Sequence, residues 1–239
     1  MTGSAATVPI GPGAYAFWRT TSLGSITESL EQRLILELMG ELAGRRVLDV
    51  GCGDGVLACA VVSHGADVTG IDPDPAMLIA AHSRAARAAV GGTFLEGRVE
   101  QLPLPDASFD VVVSVTVLCF VSDAAGAVRE MARVLRPGGR LVLGELGRWS
   151  LWAAIRRVRG WLGATTWKAA RFRSATDLRA LAEQAAFRVT NVRGAVYYPP
   201  LGVLARVLAP LDPWLGRATT IGAAFVALSA TSPDQHSSS

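Results

Sequence analysis

The stretch Val47-Leu48-Asp49-Val50-Gly51-Cys52-Gly53-Asp54-Gly55 constrains this chain more than any other. Arg46 to Val50 has the apolar, β-branched character of a short buried strand, and the alternating glycines make a tight turn. Val56 to Ser63 then reads as a helix closed by His64-Gly65. A turn with three glycines lets the backbone approach a bound ligand where any Cβ would collide.

The same rhythm continues along the chain. A helix near Ser25 to Leu42, apolar at Leu30, Leu34, Leu38 and Leu42, precedes the first strand. Strand Asp67 to Ile71, turn Asp72-Pro73-Asp74-Pro75 and helix Ala76 to Ala89 form a second unit. Thr93 to Glu96 and Phe109 to Val115 are further strands, and helix Asp123 to Leu135 is stopped by Pro137-Gly138-Gly139 before strand Arg140 to Leu146. Short apolar strands alternating with helices predict a parallel sheet covered on both faces. Later, a capping pattern at Ser174-Ala175-Thr176-Asp177 opens a helix. Strand Phe187 to Val196, a helical segment Leu201 to Trp214 and strand Thr219 to Leu228 follow, with a polar, disordered tail from Thr231.

Composition narrows the class. With 239 residues, 50% of them hydrophobic and 18% charged, one domain can bury a core without help from disulfides or metals. Cys52, Cys59 and Cys119 are odd in number and lack a CxxC spacing, which fits a reducing cytoplasm and speaks against a zinc site. Met1 to Pro12 has neither the basic nor the apolar region of a secretory signal. The apolar runs Val111 to Val121 and Ile221 to Ala230 are too short to span a bilayer. The formal charge of +3 is a small excess and does not by itself imply nucleic acid.

Asp72 lies 21 residues after Gly51, the distance at which a β-α-β unit sets its second strand end beside the turn. A carboxylate there accepts hydrogen bonds from ribose hydroxyls, so a nucleoside is implied. A dinucleotide fingerprint wants glycine at the sixth position, where this chain has Val56. Asp49 and Asp54 would repel a phosphate, so a cationic, phosphate-free nucleoside fits better.

On these residues the chain resembles the class I S-adenosylmethionine (SAM)-dependent methyltransferases, in the group similar to the ubiquinone and menaquinone C-methyltransferases. The resemblance rests on Val47 to Gly55, Gly70-Ile71-Asp72, Leu102 to Asp106 with Ser108-Phe109-Asp110, and Val134 to Gly139. It covers about Leu30 to Leu146, with weaker agreement to Val189. It implies a doubly wound, Rossmann-like α/β fold of seven strands in order 3-2-1-4-5-7-6, the last antiparallel, with helical lid insertions. Residues 1–230 form a single domain in this reading, with 1–44 as lid and first helix, 147–173 and 199–216 as substrate-side insertions, and 231–239 as the tail.

SAM is the implied cofactor, and no metal is needed. The resemblance places the Gly51 and Gly53 backbone against its methionyl part, Asp49 near its ammonium, Asp72 on the ribose beside Pro73, and Met77 near the adenine. The Leu118-Cys119 loop closes the sulfonium side. Arg98 departs from the pattern, because relatives commonly carry an aspartate there that accepts the adenine amino hydrogens, and arginine has no acceptor. Glu100, or the backbone at Val99, takes that task instead.

Three residues are candidates for the chemistry. Glu145 ends the fifth strand on the sheet's carboxyl edge, and reads either as a substrate-side carboxylate or as half of a structural ion pair. Cys119 stands where many relatives have histidine, and either faces the transferred methyl or fills buried space. Tyr15, with Phe17 and Trp18, lies in a segment that relatives use as a lid; these rings enclose the acceptor or pack the lid to the core. His64, His82 and His236 fall at a helix end, mid-helix and in the tail, which leaves no histidine in place as a base.

Between Glu145 and Asp177 there are six arginines and one lysine and no acidic residue, interleaved with Trp149, Trp152, Trp161 and Trp167. Trp152, Ile155, Val158 and Leu162 follow helical spacing. This pattern suits an anionic membrane surface, giving a peripheral contact through 148–173 at the inner face of the membrane; the other reading is a lid helix with solvated arginines. The Asn-Pro-Pro-Tyr type motif of base methyltransferases is absent, which speaks against nucleic acid. The favoured function is methyl transfer to a small or lipid-like apolar acceptor. The alternatives are a SAM-binding or membrane-docking module without turnover, and a nicotinamide-dependent dehydrogenase, which Val56 disfavours.

Overall fold

Val47 and Leu48 already show how the sheet is built: the first packs into a cluster with Ile35, Met39, Val68 and Val113, the second into another with Val50, Ile71, Val112 and Met131. Successive side chains on a strand point to opposite faces, and here both faces are buried. The computed structural model describes residues 11–164, 167–168 and 170–233. Its strands are β1 Arg46–Val50, β2 Asp67–Asp72, β3 Thr93–Glu96, β4 Phe109–Val115, β5 Leu135–Leu146, β6 Arg188–Ala195 and β7 Phe225–Thr231. They form one sheet in the order β3-β2-β1-β4-β5-β7-β6, with β7 antiparallel to both neighbours, as expected.

The helices are α1 Pro12–Thr20, α2 Ser22–Met39, α3 Val56–Ser63, α4 Pro75–Ala88, α5 Ala124–Val134, α6 Leu151–Trp161, α7 Ala175–Gln184, α8 Gly202–Leu208 and α9 Asp212–Ala218. The capping box that opens α7 forms through Ser174 and Asp177. Helix α2 begins earlier than the leucine spacing suggests, because Thr21 caps it through Gly24 N, and it ends at Gly40 with φ of 74°.

Three boundaries differ from expectation. Pro137-Gly138-Gly139 does not separate helix from strand; it lies inside β5 as an irregularity, between the pairs Phe109–Leu135 and Val111–Arg140. Thr219 to Ala224 is a connection turned by Gly222, and β7 begins only at Phe225, where the backbone pairs with Leu146. The segment 199–216 breaks into α8, a short 3-10 turn and α9, with Pro210 and Pro213 near the joints. Thr231 does not open a tail, since it pairs with Arg140 and Arg188 in β7; 234–239 and 1–10 lie outside the described residues.

Candidate functional site

At the carboxyl end of β1, Gly51, Gly53 and Gly55 all have left-handed backbone, with φ of 73°, 52° and 76°. A Cβ on Gly51 would strike Val117, whereas one on Gly53 would meet nothing within 4 Å. The turn is anchored to β2, because the Gly51 and Cys52 amides donate to Ile71 O at 2.7 and 3.0 Å. Asp72 completes the anchor: its Oδ2 accepts from Gly53 N and its Oδ1 from Asp74 N, each at 2.9 Å. Burial raises the Asp72 carboxyl despite these amides.

Asp49 is buried, and its Oδ2 has no hydrogen-bond partner. Burial, and then the charge of Asp72, push its carboxyl up to about 7. Two acids close together without a cation are unfavourable, so a donor-bearing cation from outside relieves both. The open space above Gly53 and the orphaned Asp49 oxygen fit the amino acid end of SAM.

The remaining cofactor candidates surround this point unevenly. Met77 and Val99 are buried, while Pro73 is exposed. Arg98 is exposed and pairs with Glu100 at 3.2 Å, so the Glu100 carboxylate is directed to its neighbour. Gly97 N donates to Asp72 O at 3.3 Å, which ties this loop to the end of β2.

Across the crevice, the loop after β4 is shaped by Glu145. Its Oε1 accepts from Leu118 N at 2.8 Å and its Oε2 from Cys119 N at 3.1 Å. Burial pushes the Glu145 carboxyl up to about 7, against the pull of these amides and the Arg173 charge. Both oxygens are therefore taken by backbone donors. The Cys119 thiol donates to Thr116 O at 3.3 Å, and burial together with Glu145 holds it well above the ordinary thiol range.

Helix α1 folds back over the glycine turn. Arg19 bonds Glu28 at 2.5 Å and also grips Asp54, whose carboxylate receives Arg84 at 2.6 Å from the other side. Burial alone would raise the Asp54 carboxyl, but the two guanidinium groups bring it below its ordinary value. Tyr15 lies one turn before Arg19, which stands 5.6 Å from its ring centroid. Burial raises the Tyr15 phenol, with smaller contributions from Cys119 and Glu31. Tyr15 is half-buried, while Phe17 is turned outward.

Sequence reasoning missed Arg19, Glu31 and Arg84. Glu31 had a legible signal: it sits in the stripe Thr27, Leu34, Ile35 and Leu38, whose other members are buried. The arginines had none, since their partners are distant in the chain.

The tryptophan stripe of α6 divides. Trp152 is 8% exposed and donates from Nε1 to Tyr198 O at 2.7 Å, whereas Val158 is 47% and Leu162 82% exposed. Burial is therefore uneven along that face. Arg156 lies over the rings of Trp152 and Trp167, at 5.1 and 4.7 Å from their centroids. Trp149 and Trp161 face outward, as do Val203 and Val207 of α8 and Trp214 of α9. Trp149 O accepts from Gly222 N at 3.0 Å, which joins the two exposed segments near Ile221.

Comparison with known proteins gives this geometry a family. The family model described as methyltransferase domain matches residues 48–143. The chain is 36% identical over 171 residues to the ubiquinone biosynthesis O-methyltransferase of Bordetella avium, covering 69% of this chain and 71% of that one. It is 40% identical over 134 residues to the demethylmenaquinone methyltransferase of Tropheryma whipplei, covering 55% of each. The chain spans about half the length of several curated relatives it matches. Among solved structures it is similar to a SAM-dependent methyltransferase of Thermotoga maritima, described as a possible histamine N-methyltransferase, with a TM-score of 0.74, 26% identity and coverage of 92% and 95% of the two chains. The glycine turn and its acids, the sheet order and a relative matched over more than two thirds of both chains agree, and the chain belongs to the SAM-dependent methyltransferases.

Proposed function

We propose that this protein transfers a methyl group from SAM to a small, apolar, lipid-like acceptor. The observation that carries the reading is the buried, unpartnered oxygen of Asp49 beside the open space over Gly53. Asp49 would hold the ammonium, the backbone at Gly51 and Gly53 the methionyl part, and Asp72 the ribose hydroxyls through its remaining lone pairs. Met77 and Val99 would flank the adenine, with Pro73, Glu100 and Leu118 at the borders. When bound, SAM supplies an electrophilic methyl carbon that is displaced in line. The chain's part is alignment and exclusion of water, for which Tyr15, Cys119 and the loop that Glu145 braces form the acceptor side.

An apolar acceptor is supported by relatives named as a ubiquinone biosynthesis O-methyltransferase and a demethylmenaquinone methyltransferase. Among the described residues no helix is long and apolar enough to cross a membrane. The exposed rim of Trp149, Trp161 and Trp214, set among arginines, supports peripheral docking on an anionic membrane surface from the cytoplasmic side.

Calorimetry on the purified protein tests the cofactor: SAM and its demethylated product should bind, and a pyridine dinucleotide should not. Incubation of methyl-labelled SAM with cell extract tests the acceptor. Label extractable into organic solvent is expected; label in RNA or protein would overturn the acceptor class, and no label at all would favour a binding module. Pelleting with vesicles should be stronger with anionic lipid, and indifference to lipid charge would remove the docking surface.

A further inference from the structure

The stretch between Glu145 and Asp177 has no acidic residue, and the fold gathers its cations instead of spreading them. An open cavity of about 650 Å³ lies between α6 and the chain leading into α7, and Arg148, Arg157, Lys168, Arg171 and Arg173 all line it. Like charges collected in one concave place repel each other unless something of opposite sign joins them. Among the described residues Asp177 is the one acid on the lining. Its Oδ2 accepts from Ser174 N at 2.8 Å in the cap of α7 and stands 3.6 Å from Arg148 Nη1, so a single, already engaged carboxylate faces five cations.

Backbone contacts fix the floor of the cavity. Arg173 N donates to Leu146 O at 3.0 Å and Arg148 N to Arg173 O at 2.9 Å, which lays this chain along the end of β5. Arg171 N donates to Cys119 O at 2.8 Å, and Arg173 Nη2 to Leu118 O at 3.1 Å. Arg173 Nε is buried and has no hydrogen-bond partner among the described residues. Glu145 does not supply one, since it accepts from the Leu118 and Cys119 amides. A buried guanidinium N–H without an acceptor is unfavourable, and an acceptor brought by a ligand relieves it.

We propose that this cavity is a binding site for a phosphate-type oxyanion carried on an aromatic or apolar group, separate from the crevice that takes SAM. Neither Asp49 nor Asp72 lines it. Arginine forks match the oxygens of carboxylates and phosphates alike, but a carboxylate brings one negative charge where five cations face one acid, and a phosphate monoester brings about two. The size exceeds what bare phosphate fills and falls in the range of small-molecule pockets. Trp161, Trp167 and Phe172 supply an aromatic side for the group that bears the phosphate, and the Arg157 guanidinium lies 5.2 Å from the Phe172 ring centroid. A flat anionic surface meets the exposed rings of Trp149 and Trp161 from outside, whereas the buried Arg173 Nε needs an individual group that enters the cavity.

The test titrates inorganic pyrophosphate into the full chain by calorimetry. One saturable site is expected. Arg157→Gln removes a cation from the lining and leaves the backbone contacts of Arg171 and Arg173 in place, and should weaken binding roughly tenfold or more. Arg179→Gln, on α7 outside the cavity and 3.5 Å from Glu183, should stay within about twofold of wild type. If Arg157→Gln does not fold, Lys168→Gln, at an exposed position, should show the loss instead. Absence of saturable binding to wild type, or an equal loss in the cavity variant and Arg179→Gln, overturns the site, because diffuse surface charge would then explain the affinity. Vesicles containing phosphatidic acid separate two sources of the same chemistry. Pelleting that pyrophosphate competes away in wild type identifies a lipid headgroup as the occupant; pelleting indifferent to bound pyrophosphate identifies a soluble phosphoester. These measurements need neither SAM nor turnover, so the site stands or falls apart from methyl transfer.

Discussion

The chain up to Glu145 and the chain beyond it differ in charge and in the side chains they present. The first part holds 11 basic and 16 acidic residues, the second 12 basic and four acidic. The β1–β2 end presents backbone amides, glycine turns and short carboxylates such as Asp49 and Asp72, the latter held by the Gly53 and Asp74 amides. The α6 and α8–α9 rim presents long cationic side chains and exposed rings, such as Arg156 and Trp161. A rigid, acid-lined crevice suits one invariant cationic ligand. A basic, aromatic rim adapts to apolar molecules and to an anionic surface.

Asp49 offers the sharpest way to break this contrast. Asp49→Asn should weaken SAM binding by roughly a hundredfold or more, since a buried ammonium would lose its charged partner, on the order of 3 kcal/mol. The same change should stabilise the ligand-free fold at pH 8 by about 1–3 kcal/mol, because a carboxyl raised to about 7 in the fold costs stability that is absent below its unfolded pKa and complete above the folded one. Calorimetry and urea unfolding read the two opposite signs; a variant that loses both affinity and stability would show Asp49 to be a structural group.

Glu145→Gln probes the loop between the two regions. An amide side chain offers one acceptor to two backbone donors, so unfolding stability should fall by about 1–3 kcal/mol while SAM affinity changes less. The pH dependence of SAM binding comes next in size: affinity should rise about tenfold from pH 6 to 8 as Asp49 ionises, then level off. Calorimetry in two buffers of different ionisation enthalpy should register the proton released. Trp161→Ala, at 85% exposure, should leave unfolding within about 0.5 kcal/mol yet reduce pelleting with anionic vesicles several-fold. Unchanged pelleting would confine the rim to acceptor binding.

How legible each part was follows from how far apart its partners lie. The glycine turn and Asp72 could be read directly because positive φ and a strand-end acid leave local marks. The clamp of Arg19 and Arg84 on Asp54 could not, since it joins residues 35 and 30 positions apart with no spacing rule. Glu145 was placed at the right sheet edge, but its use as an acceptor for the Leu118 and Cys119 amides depends on the loop's path. The spacing from Trp152 to Leu162 identified a helix correctly and its surroundings wrongly, because periodicity reports geometry and not what the neighbouring chain covers.

From the sequence alone came the strand–turn–helix unit, the acids beside it and the separation of charge along the chain, all of which are set by neighbours within a few residues or by composition. Only the packed fold decided that β5 runs through Pro137-Gly138-Gly139, that Trp152 turns inward while Trp161 turns out, and that Arg19 and Arg84 converge on Asp54. Those outcomes belong to contacts between segments some tens of residues apart, where burial and hydrogen bonding choose among conformations that local propensity leaves equal.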